Sequence, residues 1–244
     1  MRRMIPACRK AAAAITGLKA SVVAAAAVVL LVPSIASAQQ TLNFSVGGFV
    51  PKGFSDRDVD DVLVNNQDFL AFDIDDFHGA TFGAEWLANL GDKFEAGLGT
   101  GYYSSSAPAV YYDFVNANGS EIEQDLKLRV IPFTATVRFL PMGHGKGIEP
   151  YIGGGVGVLS WKYKEAGQFL ATDGSIFRDE FEADGTASGP LFLGGIRIPV
   201  GQWGLGFELR HQSGEGKIPA EDDFAGTSID LGGFTYNFTV HVRF

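Results

Sequence analysis

Two residues of this 244-residue chain have the chemistry and spacing of a nucleophile and its base. His211 and Ser213 stand two positions apart in an alternating segment, and such positions share one face of a β-strand. An imidazole so placed could activate the serine hydroxyl for attack on an ester. Four nearby acidic residues could orient the imidazole: Glu215, Glu221, Asp222 and Asp223. None of these holds an unambiguous third position, and the alternative is a pair of ordinary strand-end residues.

A second group of residues could bind a cation. Four aspartates follow the first predicted strand closely: Asp56, Asp58, Asp60 and Asp61. A calcium loop begins this way, but it needs a glycine where Asp61 stands and a glutamate where Gln67 stands. No formed metal site is therefore expected. A solvated acidic loop is the first interpretation, and weak divalent-cation bridging to phosphate groups is the alternative.

The other motifs point away from cofactors. Gly153, Gly155 and Gly157 repeat at period two, whereas a phosphate-binding loop needs a strand, a turn and a helix N-terminus. His78, His144 and His241 are scattered without metal-ligand spacing. We expect no cofactor.

The elements that must position these residues are strands. From Phe234 to Phe244 the even positions are apolar and the odd positions between them are polar, which is the period of a strand with two unlike faces. Seven further segments alternate similarly, around Leu42, Ala80, Phe94, Phe133, Tyr151, Ile196 and Leu205. Leu126, Leu128 and Val130 have the opposite parity to Phe133, which predicts a β-bulge near Ile131-Pro132.

The predicted connections alternate in length. Those after strands two, four and six are short, at 88–93, 141–147 and 200–203. Those after strands one, three, five and seven are long and acidic, at 51–75, 104–124, 165–187 and 213–228. Short periplasmic turns alternating with long external loops are typical of a bacterial outer-membrane barrel. The fold class predicted is therefore all-β, an eight-stranded antiparallel up-and-down transmembrane β-barrel.

The polar face of these strands carries charge. Nine charged residues fall on predicted inward positions: Glu85, Glu95, Lys127, Arg129, Arg138, Arg197, Glu208, Arg210 and Arg243. They would be costly in a soluble core, but opposite charges can pair across the narrow interior of an eight-stranded barrel. We expect a plugged lumen. Six aromatic residues near strand ends are predicted to form interfacial girdles: Trp86, Tyr102, Tyr103, Trp161, Tyr163 and Trp203.

The first 38 residues are predicted to be a cleaved secretory signal peptide. Basic residues precede an apolar core at 21–32, and Ala36-Ser37-Ala38 supplies the small residues of a cleavage site. The segment holds five of the 19 basic residues, none of the 28 acidic ones and the only cysteine, Cys8. The barrel domain predicted at 39–244 is thus acidic and cysteine-free, which argues against nucleic-acid binding and disulfides.

The chain resembles the bacterial outer-membrane β-barrel domain family, the small eight-stranded barrels of the OmpA and OmpW type. The resemblance lies in residues 130–139, in the Pro150–Gly157 run and in the terminal Val242-Arg243-Phe244. It implies an outer-membrane location, contact with outer-membrane lipid and lipopolysaccharide, and recognition of Phe244 by the assembly machinery. The His211-x-Ser213 pair is similar to the His-x-Ser of lipid A deacylases, although the asparagine that usually follows is Gly214 here.

Three functions follow from these expectations. A monomeric, non-enzymatic barrel with a structural or surface-interaction role is favoured, because external loops usually carry binding. A narrow porin-like channel for small or apolar solutes and a lipid A acyl-ester hydrolase are the alternatives.

Overall fold

The computed structural model describes residues 39–145, 147–171 and 173–244. The predicted signal peptide, with Ala36 and Ala38 at its cleavage site, lies outside these residues. Eight long strands are β1 (Gln40–Pro51), β3 (Gly79–Asn89), β4 (Phe94–Val115), β5 (Glu121–Phe139), β6 (Glu149–Leu170), β7 (Ile176–Val200), β8 (Trp203–Gln212) and β11 (Gly233–Arg243). Short elements are β2 (Leu70–Ala71), β9 (Glu215–Lys217), β10 (Ser228–Asp230), the helix α1 (Val62–Asn66) and three 3-10 helices, Phe54–Asp56, Ile74–Phe77 and Ala220–Asp222.

The eight long strands form a closed ring. Each pairs antiparallel with the strands next to it in sequence, and β1 pairs with β11 to complete the circle. Of the short strands, β2 pairs with the far part of β4, and β9 pairs with β10. The predicted eight-stranded antiparallel up-and-down barrel is confirmed.

An apolar band surrounds one half of the barrel. We call this half the short-turn end, because the connections from β3 to β4 and from β7 to β8 lie there and are only a few residues long. Outward side chains in the band are apolar and exposed, as Phe133, Val156 and Phe238 show. The band covers about ten residues of each strand, such as 130–139 of β5, which is the length of a tilted transmembrane strand. No helix of the described residues is long and apolar enough to cross a membrane.

We call the opposite half of the barrel the long-hairpin end. Parts of the long loops predicted there are strands in the structure. Residues 104–115, 121–124, 165–170 and 176–187 belong to strands, so β4–β5 and β6–β7 continue well past the apolar band. Most of their outward residues are polar or charged, including Lys127 and Asp184, while Tyr112 and Phe114 near the tip of β4 are exposed aromatic exceptions. The strands persist because their alternating pattern continues while the outer face changes from apolar to polar.

The prediction of a β-bulge at Ile131-Pro132 is also wrong, because β5 continues without interruption as its outer face changes from apolar to polar. Thr100 pairs with Phe133 and Tyr103 pairs with Val130 at one constant register, so the even positions of β5 point inward throughout. The side chains there are polar within the band, as at Thr134 and Arg138, and apolar beyond it, as at Leu126 and Leu128. The reversal of the hydrophobic pattern therefore marks where the strand leaves the apolar band.

The first connection, residues 52–78, fills the interior of the long-hairpin end. The polar residues Arg57, Asp61 and Asn66 are buried there, and so are the apolar residues Val62, Leu63, Leu70, Ile74 and Phe77. Most of the apolar ones join one hydrophobic core with inward residues of the barrel wall, among them Leu126, Leu128, Trp161 and Tyr163. The segment predicted as a solvated loop is therefore a plug, with its remaining acidic residues on the outer side.

The aromatic girdle prediction is partly wrong. Tyr102 and Trp203 point outward and are 47% and 59% exposed, as a girdle requires. Tyr103, Trp161 and Tyr163 are at most 4% exposed and lie inside the barrel. Their odd positions face inward together with Gly101 and Gly157 on the same strands.

Candidate functional site

The lumen within the apolar band is crossed by ion pairs. Arg138 on β5 donates from Nη2 to Glu208 Oε2 on β8 at 2.7 Å, and also to Glu85 on β3. Arg210 Nη2 donates to Glu208 Oε1 at 2.8 Å, and Tyr151 Oη donates to Glu208 Oε2 at 3.1 Å. Three distant strands are thus joined across the interior.

A second group of charges lies nearer the short-turn end. Arg197 on β7 donates to Glu95 on β4 at 2.7 Å, and Arg243 on β11 donates to Glu149 on β6 at 2.5 Å. The guanidinium groups of Arg138 and Arg197 lie 4.8 and 5.2 Å from the centre of the Tyr151 ring, within the range of a cation–π interaction. Tyr151 therefore connects the two groups.

Close packing leaves little open space around these charges. Arg138, Glu95, Arg197 and Glu208 are all at most 1% exposed. Gly195 faces Tyr151 so closely that a Cβ there would lie 2.6 Å from the tyrosine hydroxyl. The interior retains a cavity of about 50 Å³ beside Glu208 and Arg210, which is far smaller than a continuous channel. The arrangement can seal the lumen.

The alternating pattern of the strands predicted most of this network. Seven of the nine predicted inward charges are inside: Glu85, Glu95, Arg138, Arg197, Glu208, Arg210 and Arg243. Glu149 and Tyr151 were missed, although both share the parity of the inward Gly153 and Gly155. Extending that parity toward the start of β6 would have found them.

Lys127 and Arg129 were wrongly placed in the lumen. Because β5 has no bulge, their odd positions point outward, just beyond the apolar band. Lys127 lies directly opposite Lys164, and Arg129 lies directly opposite Lys162. We call these four residues the outer basic cluster. Glu182 and Glu180 on β7 pair with Lys162 and Lys164 at 2.5 and 2.6 Å, so Lys127 and Arg129 carry the unmatched positive charge among the described ion pairs.

His211 and Ser213 lie at the edge of the apolar band. The His211 ring packs on Phe234 with ring centroids 4.7 Å apart, and His211 lies between Phe192 and Phe234 in the register. Ser213 follows the end of β8 and donates its backbone N–H to Pro190 at 3.1 Å. No side-chain hydrogen bond joins the pair in the described ranges. Hydrolysis stays a prediction, and the mass of lipid A from producing cells tests it.

The aspartates of the first connection have separate environments. Asp56, Asp58 and Asp60 are exposed, but Asp61 is fully buried. Asp61 caps α1 by accepting from Leu63 N at 2.8 Å, and it also accepts from Arg57 Nη1 at 2.9 Å and from Asp230 N at 2.6 Å. It is thus a structural residue, which corrects its inclusion in a cation-binding group. Among the described residues no cluster of three or more His, Cys, Asp or Glu has the arrangement of a metal site.

Comparisons with known proteins return structures only. No protein-family model matches the chain, and neither does a curated protein sequence. The chain is similar to the N-terminal β-barrel domain of Pseudomonas aeruginosa OprF, at 11% identity and a TM-score of 0.36, over 85% of this chain and 100% of that one. It is also similar to Neisserial surface protein A, at 12% identity and a TM-score of 0.45, over 84% and 97% of the two chains.

A third similar structure is Ail, the attachment invasion locus protein of Yersinia pestis, in complex with the heparin analogue sucrose octasulfate. It is 9% identical with a TM-score of 0.40, over 85% of this chain and 99% of that one. The fold assigned here rests on the closed ring of eight strands in this chain.

Proposed function

We propose that the protein is an outer-membrane barrel closed to solutes, with a structural and surface-interaction role at the cell surface. The observation that carries the proposal is the double obstruction of the interior, by paired charges within the apolar band and by the plug beyond it. The apolar band supports membrane insertion, and the charged strands beyond it support exposure of the long-hairpin end to water outside the cell.

The paired lumen favours a closed barrel over the channel alternative. An ion or solute would have to displace charges that already bind one another in a confined, low-dielectric interior. Separating such a pair leaves an uncompensated buried charge, which costs about 3–5 kcal/mol. Beyond this barrier, apolar side chains of the plug pack against the inner wall and fill the interior.

We further propose lipopolysaccharide phosphates as the ligands of the outer basic cluster. Like charges placed directly opposite on neighbouring strands repel each other, and Lys127 and Arg129 each lie opposite a lysine without a described ion-pair partner of their own, so an anion would stabilise them. The cluster begins just past Ile131 and Val158, the last outward apolar residues of β5 and β6. This is the depth of lipid headgroups, where basic residues attract anionic lipid.

The closed lumen is tested by single-channel recording of protein comprising residues 39–244, refolded from urea into planar bilayers. Heat-dependent gel mobility identifies folded protein. We expect no discrete conductance steps from folded protein. Reproducible steps that disappear when the protein is unfolded would overturn the closed-barrel proposal and favour the channel.

Lipid binding is tested with vesicles containing lipopolysaccharide against vesicles of phosphatidylcholine alone. Replacing Lys127 and Arg129 by Gln should weaken lipopolysaccharide binding roughly 10- to 30-fold, since each basic residue contributes about 1 kcal/mol near an anionic surface. Replacing Lys93 and Lys217, which are exposed at the two ends of the barrel, changes the net charge equally and should have little effect. Equal losses of lipopolysaccharide affinity in both double variants would show that binding depends on net charge and not on the outer basic cluster.

A further inference from the structure

An aromatic pocket opens at the long-hairpin end of the barrel. Its volume is about 450 Å³, and seven aromatic side chains line it: Phe69, Tyr111, Phe114, Phe169, Phe177, Phe181 and Phe224. Four of these rings form a connected series, with centroids 4.9 Å apart for Phe169 and Phe181 and 6.4 Å apart for Phe181 and Phe224. The plug, β4, β6, β7 and the connection after β9 all contribute to the wall.

One carboxylate lies among these rings. Glu165 is 7% exposed and lies directly opposite Phe181 in the β6–β7 register. Asn66 Nδ2 donates to its Oε1 at 2.6 Å, and the Tyr163 hydroxyl donates to the same oxygen at 2.9 Å. Both described hydrogen bonds go to Oε1, which leaves Oε2 for a further partner.

No cation of the described residues pairs with Glu165. The neighbouring Lys164 points to the outer face of β6 and pairs with Glu180 there. Burial raises the pKa of Glu165 and also that of Tyr163, which keeps the tyrosine hydroxyl protonated as a donor. Asp223, an exposed residue, adds a second negative charge to the pocket wall. A buried carboxylate without a counter-charge is costly, and a bound cation would remove that cost.

We propose that this pocket binds a small organic cation, an alkylammonium whose charge pairs with Glu165 and whose carbon groups contact the aromatic rings. Aromatic faces attract ammonium groups most strongly where water is excluded. The pocket has the size of a small-molecule site. An anion would meet Glu165 and Asp223, and a neutral ligand would leave the carboxylate unpaired. A hard metal ion prefers several oxygen ligands, whereas this wall is mainly aromatic.

Isothermal titration calorimetry of the refolded protein with choline tests the proposal. The comparison ligand is 3,3-dimethylbutan-1-ol, which has the same shape as choline without the positive charge. We expect heat from choline at concentrations up to about 10 mM and an affinity at least about tenfold lower for the alcohol. Equal binding of the two ligands, or no heat from choline, would overturn the proposal.

Variants assign the binding to this pocket. Glu165→Gln keeps the hydrogen-bond acceptor and removes the charge, so choline affinity should fall at least about tenfold. Phe181→Leu keeps an apolar side chain without a ring and should lower the affinity severalfold. Glu180→Gln removes an exposed carboxylate from the outer face of the neighbouring strand and should leave affinity unchanged. Unaltered binding by folded Glu165→Gln would contradict the site. The result is independent of whether the lumen conducts.

Discussion

Arg138 on β5 and Glu208 on β8 meet across the lumen, with Nη2 and Oε2 2.7 Å apart. The two strands are not neighbours in the ring, since β6 and β7 lie between them. The contact therefore braces the barrel from inside, in addition to the hydrogen bonds that run around its wall.

Replacing Arg138 by Ala should destabilise the barrel by about 3–5 kcal/mol, because Glu85 and Glu208 would lose their buried partner. The matched control is Arg129→Ala on the same strand, whose side chain points outward and whose loss should cost within about 0.5 kcal/mol. Urea unfolding in phospholipid vesicles, followed by heat-dependent gel mobility, measures both. Equal stabilities of the two variants would contradict the bracing role.

Two adjacent glycines of β7 should differ in how well they tolerate alanine. A Cβ at Gly195 would lie 2.4 Å from the Phe207 carbonyl oxygen and 2.6 Å from the Tyr151 hydroxyl, whereas at Gly194 the nearest atom is 3.6 Å away. Gly195→Ala should therefore cost about 1–3 kcal/mol through overpacking, and Gly194→Ala should be close to neutral. The same unfolding measurement compares them. A neutral Gly195→Ala would show that the Phe207 backbone and the Tyr151 side chain can both shift to accommodate a methyl group.

Asp61 should hold the plug in place. Asp61→Ala leaves Arg57 buried without its partner and removes the cap of α1, so local opening of the plug should become easier by about 3–5 kcal/mol. Asp58→Ala, at an exposed position, is the control. Amide hydrogen exchange of residues 62–66 measures the opening. Unchanged protection in Asp61→Ala would show that apolar packing alone retains the plug.

Glu165→Gln should stabilise the long-hairpin end at high pH. Burial raises the pKa of Glu165 in the folded protein, whereas an unfolded glutamate titrates near about 4.3. The wild type is thus favoured below that pH, and it loses stability relative to the variant as pH rises through the raised folded pKa. Tyr163 and Asp223 are the titratable groups near Glu165. Urea unfolding at pH 4 and pH 8 should show a difference only at pH 8; a constant difference would contradict the linkage.

Alternation predicted the barrel well because it reports directly on the two faces of a strand. It placed Arg138, Arg197 and Glu208 inside, since these residues share the parity of a polar face within the apolar band. The same rule failed for Lys127 and Arg129. It assumed that polar residues always face inward, and beyond the band the outer face is polar while the inner face is apolar.

The plug and the aromatic pocket were beyond reach of the sequence pattern. The first connection has many aspartates, which suggested solvent exposure, yet Asp61 is buried through partners up to 169 positions away in the chain. The pocket rings come from separate elements that only the closed barrel brings together. A pattern of period two describes one strand at a time and contains no information about such distant partners.

The extension of β4 and β5 also determines how far this protein reaches from its membrane. From Ser104 to Val115 the strand continues past the apolar band, with one register irregularity between Val110 and Val115, and twelve residues at about 3.3 Å each, inclined by about 40°, rise roughly 30 Å. The turn at 116–120 therefore lies at the end of a paired two-stranded extension. A peptide inserted at this turn would be displayed clear of the lipid sugars. Shortening the hairpin two residues at a time would bring the peptide closer to the membrane in steps.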